Sequence, residues 1–114
     1  MVYDEENSFE TRTKNINSFL SNAKDLLHEN GCLVSADIFG YVLNSRNDNG
    51  IGQYLETIVD TVDFISPMIY PSHYSKGSFG YLNPNDHPYE VITAALQLGL
   101  NRGIDPNKLR PFLQ

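Results

Sequence analysis

Asp37 is the first side chain in this sequence whose type and setting suit chemistry, because it stands where the apolar run within Cys32-Leu-Val-Ser-Ala-Asp-Ile-Phe-Gly-Tyr41 stops. A carboxylate there can give or take a proton, and at the end of a strand it would face a site rather than the core. A second stretch of the same form, Phe64-Ile-Ser-Pro-Met-Ile-Tyr-Pro-Ser-His-Tyr74, ends in Tyr70, His73 and Tyr74. Phenol hydroxyls hydrogen-bond, aromatic faces stack on apolar ligand surfaces, and an imidazole can carry a proton. If the two runs are neighbouring strands pointing one way, their polar ends share a rim.

Those groups need elements to position them. Ile16, Phe19, Leu20, Ala23, Leu26 and Leu27 follow the i, i+3, i+4, i+7 rule, so a helix is expected from Ser8 to the stop at Gly31. Leu33 to Ala36 is brief and apolar and follows that glycine, which suits a strand. Residues 44–50 are polar and end in a turn-prone Asn-Gly pair. Ile51, Tyr54, Leu55, Ile58 and Val62 share one face of a second helix over 51–61. Phe64 to Tyr70 forms the next strand, with Pro67 suggesting a bulge or an edge position because proline cannot donate to a ladder.

Residues 71–87 form a long connection with two Gly-aromatic steps, Gly77-Ser-Phe79 and Gly80-Tyr81, a length usual for functional or mobile loops. Pro88, capped by Asp86 or His87, opens a third helix that ends at Gly103, and Leu109 to Gln114 begins a further strand. The order helix, strand, helix, strand, helix, strand, with no hairpin-length connection, predicts an α/β fold of parallel strands joined by helices. Such a sheet leaves open edges, which invite self-association.

Composition removes several classes of function. The 114 residues permit one domain, with residues 1–7 as a flexible lead-in carrying the solvated run Asp4-Glu5-Glu6, and 8–114 as the folded part. A net charge of −6 with scattered Lys and Arg argues against a nucleic-acid partner. No apolar run approaches the roughly 20 residues needed to cross a bilayer, so membrane insertion is not expected. The N-terminus has neither the basic start nor the apolar stretch of a secretory signal, and leaves localisation open. Cys32, the single cysteine, excludes an internal disulfide and is expected in the core. His28, His73 and His87 lack ligand spacing, and Gly50-Ile-Gly52 lacks the rest of a nucleotide fingerprint, so neither a metal nor another cofactor is called for. His28, late in the first helix, suits the helix dipole instead.

Five blocks carry a resemblance: Val34-Ser-Ala-Asp-Ile-Phe-Gly-Tyr41, Ile51-Gly-Gln53, Ile65-Ser-Pro-Met-Ile-Tyr-Pro-Ser-His-Tyr74, His87-Pro-Tyr-Glu90 and Leu109-Arg-Pro-Phe-Leu-Gln114. In this order they resemble a glycoside hydrolase domain family that began as a domain of unknown function. The resemblance implies part of a (β/α)8 TIM barrel, whose whole is about 250 residues, with about three parallel strands near the fifth to seventh and three helices. The family's preceding strand, of a Phe-Asp-Tyr-x-Arg-Phe-Pro type, has no counterpart, nor does the Asp-Phe that normally follows Leu-Gln. Phe112 stands where tryptophan is common. A fragment of a larger domain is therefore expected, inactive by itself.

Barrel enzymes carry their chemistry at the carboxyl ends of the strands, where the resemblance assigns catalysis to Asp37 and carbohydrate contact to Tyr41, Tyr70, His73, Tyr74 and Arg110. Glycoside cleavage needs two carboxyl groups, so Asp37 would be half a pair, its partner on the missing strand. Each residue also has a plainer role: Asp37 as a turn cap, His73 bonded to a backbone carbonyl, the tyrosines roofing the core, Arg110 at the surface. Three functions stay open: a hydrolase-like domain, a non-catalytic carbohydrate-binding or cell-wall-associated module, and a structural fragment stable only by self-association. Relatives in that family are often exported or envelope-associated.

Overall fold

The structure, a computed structural model, describes residues 8–114; the expected lead-in over 1–7 and its acidic run lie outside the described residues. Helix α1 spans Phe9–Glu29, opened by the Ser8 hydroxyl accepting the Thr11 N–H at 3.2 Å. It ends as the sequence predicts, with Gly31 at φ +76° and the Cys32 N–H reaching back to the Leu27 carbonyl at 2.9 Å. That bond keeps Cys32 in the helix cap, where it is exposed, so the expectation of a core cysteine fails.

Strand β1 is Ser35–Phe39, two residues further on than the apolar run suggested. Leu33 stays 67% exposed in the connection, whereas Val34 is buried and its carbonyl accepts the Phe64 N–H at 3.1 Å. A 3-10 turn, Gly40–Leu43, and a polar loop lead to helix α2, Leu55–Thr61. This helix starts later than 51 because Gly50 and Gly52 hold positive φ and both donate their N–H to the Asp48 carboxylate. Strand β2 is Phe64–Ile69, α3 is Pro88–Asn101, and β3 is Phe112–Leu113. The sheet order is β1-β2-β3 with both pairs parallel, which is the mixed α/β arrangement expected.

Pro67 therefore lies in the central strand, without the bulge or edge position anticipated for it. Alternation explains this. Phe64 bonds to β1 and Ile65 accepts from the Arg110 N–H of the third strand line, so the proline's missing donor faces β3. There the pairing is sparse, a lone bridge at Ile65 with Leu109 before it resumes at Met68 with Phe112.

The two faces of the sheet differ. Ile38, Ile65 and Ile69 pack with Leu55 and Ile58 of α2 and Ala95 of α3 into one core. On the other face Ser35, Asp37, Phe39 and Phe112 are exposed, so the molecule is a slab 21 Å thick in which the described helices lie on one side. Two arginines hold the helices in place. Arg12 of α1 grips Asp48 through two bonds of 2.6 and 3.0 Å. Arg102 grips Glu56 of α2 and donates to the carbonyls of Val42, Leu43 and Ser45. Of the expected stripe on α1, Ile16 and Leu20 reach the core, whereas Phe19 and Leu26 remain 69% and 64% exposed. No described helix is long and apolar enough to cross a membrane.

Candidate functional site

Parallel register sets the site. Phe39 pairs with Met68, and Met68 with Phe112, forming a row across the open face at the carboxyl ends of β1 and β2. Tyr70 lies two residues beyond Met68 and continues that rim, and Tyr41, in the 3-10 turn after β1, joins it by stacking on Phe39. The chain after Tyr70 turns through a 3-10 segment, Pro71–His73, which brings His73 and Tyr74 back over it. The result is a cleft of about 380 Å³ lined by Phe39, Gly40, Tyr41, Met68, Tyr70, His73 and Tyr74.

Four of the expected site residues, Tyr41, Tyr70, His73 and Tyr74, thus come together. Phe39 and Tyr41 stack at 5.4 Å with 12° between planes, and Tyr70 meets His73 edge-on at 5.3 Å. Tyr74 meets Phe79 at 5.2 Å. Phe79 holds φ +56°, a conformation that costs a bulky residue on the order of 1 kcal/mol and that this packing sustains. The Tyr74 hydroxyl is buried without a hydrogen-bond partner among the described residues, and burial pushes its pKa up to about 12. Gly40 is required beside it: a Cβ there would lie 2.4 Å from the Met68 carbonyl oxygen and 3.0 Å from the Tyr74 hydroxyl.

Asp37 and Arg110 stand elsewhere. Asp37 is the third of five residues in β1, not its last, and pairs with Ser66 one row below the cleft. It is exposed on the same face as Phe39 and, among the described residues, has no ion-pair partner. Arg110 follows Leu109, the residue bridged to Ile65, which places it beside Ser66 in that lower row. Its guanidinium lies 3.4 Å from the centroid of the Phe64 ring, away from the cleft. His28 meets a carboxylate rather than only the helix end: its Nε2 is 2.6 Å from Asp63, which also accepts the Val34 N–H. His28 beside it holds the Asp63 carboxyl below the usual carboxylate range.

Phe39, Gly40 and Met68 were not among the expected site residues. The signal that finds Phe39 and Met68 is the period of two, which puts Phe39 on the face of Asp37 and Met68 on that of Tyr70.

A family model described as "Putative glycosyl hydrolase domain" matches residues 1–114. No curated protein matches the chain, and no solved structure does.

Proposed function

The chain belongs to that glycosyl hydrolase domain family, and we propose that it contributes part of a carbohydrate-cleaving (β/α)8 barrel, with the open sheet face as a stretch of the barrel's inner wall. The observation that carries this reading is the one-sided sheet. Parallel sheets normally bury both faces, and here, among the described residues, helices cover one face, while the cleft lies at the carboxyl ends of β1 and β2. Asp37 would supply one of the two carboxyl groups for acid/base cleavage of an O-glycosidic bond, and the second would come from a neighbouring β/α unit. Tyr41, Tyr70, His73 and Tyr74 would hold the sugar, and Arg110 would set the charge of the inner wall near Asp37.

Among the described residues no carboxylate lines the cleft, which favours a second reading, a carbohydrate-binding module without turnover. Hydrolysis of oligosaccharides by a polypeptide extended with a preceding β/α unit separates the two. The hydrolase reading expects turnover that Asp37→Asn abolishes. Unchanged turnover in that variant removes Asp37 from the mechanism, and binding without turnover, lost in Tyr70→Ala, selects the module.

A further inference from the structure

We propose that Arg110 binds the carboxylate of an acidic sugar, so that the open sheet face takes a uronate-containing saccharide. This deepens the carbohydrate reading above and rests on it. Arg12 and Arg102 are each closed on a carboxylate, at 2.6 Å in both cases. Arg110 is exposed and, among the described residues, has no ion-pair partner. It is held over a ring instead, 3.4 Å from the Phe64 centroid. Contact with a ring face restrains the guanidinium and uses none of its five N–H donors. Those donors stay available to a planar, two-pronged acceptor, which is what a carboxylate is.

Strand register supplies an independent observation. Leu109, bridged to Ile65, packs against the core, so Arg110 stands on the opposite, open face in the row of Ser66 and Asp37. The next row holds Phe39, Met68 and Phe112, two residues further along each strand and about 7 Å away. A sugar ring against Met68 and Tyr70, on the β2 wall of the cleft, therefore brings a carboxylate on that ring or its neighbour within reach of Arg110. Nothing acidic lines the cleft among the described residues, and His73 adds an imidazole there. Asp37, also on the open face, lies two strands from Arg110, about 10 Å between Cα atoms. Ser66 stands between them with its hydroxyl 2.9 Å from that of Ser35. A carboxylate on Arg110 thus meets its counter-ion well before it meets a like charge.

Calorimetric titration of the 114-residue chain tests this with tetragalacturonate, tetraglucuronate and tetramannuronate, each set against its own methyl ester, which keeps the sugar skeleton and removes the charge. At least one acid should bind about tenfold or more tighter than its ester, an advantage that shrinks as salt is added. Arg110→Gln should cut affinity for that acid about tenfold and remove its advantage over the ester. Arg110→Lys should keep part of the advantage, since an ammonium brings the charge without the fork. The position is exposed, so the unfolding midpoint of either variant should move by no more than about 4 °C. An ester that binds as tightly as its acid in every pair overturns the inference, as does binding of neutral cellotetraose, xylotetraose or mannotetraose alone. So does wild-type affinity for the acid in Arg110→Gln, which would assign the guanidinium to a carboxylate of another chain segment. In each of these cases the carbohydrate reading survives. No binding of any acid, ester or neutral tetrasaccharide at millimolar concentration ends the carbohydrate reading itself and this inference with it.

Discussion

Asp48 is 2% exposed, yet its carboxylate receives Nε and Nη2 of Arg12 and the backbone N–H groups of Gly50 and Gly52. The Arg12 guanidinium, ahead of the backbone donors, holds its carboxyl well below the usual carboxylate range. A folded-state pKa below the unfolded value contributes stability above the unfolded pKa of about 4, and that stability is lost as pH falls through the folded value. Asp48→Asn should therefore lower the unfolding midpoint at pH 7 by on the order of 5 to 10 °C. The gap between variant and wild type should narrow steadily below about pH 4. A gap of the same size at pH 3 and pH 7, followed by circular dichroism, would contradict this account. Nothing in the sequence pointed to the pair, because Arg12 and Asp48 are 36 positions apart and a polar Asn/Asp loop reads as solvated. Tyr70 and His73 were legible because they follow a strand-like run directly, whereas Phe39 hid inside one.

Edges of elements depend on tertiary partners more than on pattern. The run Leu33–Ala36 looked like the strand, but β1 begins only where Val34 meets Phe64, and the ladder then carries polar Ser35 and Asp37 with it. Alternate residues of β1 point their backbone groups away from β2, and among these Phe39 donates its N–H to the Gln53 side chain at 3.0 Å. Gln53 thus closes the upper end of an otherwise open edge, beside the cleft. Gln53→Ala should speed hydrogen exchange at the Phe39 amide and leave Ile38, which faces β2, protected. Equal exchange at Phe39 in both proteins would deny the side chain that role. Gly40 makes a harder test of how closely β1 and β2 are joined at the rim. Gly40→Ala places a carbon 2.4 Å from backbone that cannot rotate away, so the midpoint should fall by on the order of 5 °C or more. An unshifted midpoint would mean that this end of the sheet yields easily.

At the scale of the whole molecule, one face of a parallel sheet and much of the α1 stripe lie in water. Phe19, Leu26 and Leu33 are each more than 60% exposed, on the α1 and β1 side of the sheet order. Helical spacing announced the α1 stripe, but it could not say which of its residues the chain itself would bury, because that depends on what stands next to β1. An apolar surface of this kind is characteristic of one that another segment covers. The 114-residue chain should accordingly bind an apolar dye and associate as its concentration rises, measured by sedimentation velocity. Leu26→Lys combined with Leu33→Lys should reduce both effects while shifting the unfolding midpoint by no more than about 4 °C, since those side chains already sit in water. In the extended polypeptide, the same pair of lysines should instead be strongly destabilising, because they would be forced under the added β/α unit. A chain that stays monomeric at every concentration and ignores the dye would mean that this face is finished as it stands, and the barrel reading would lose the one-sided sheet that carries it.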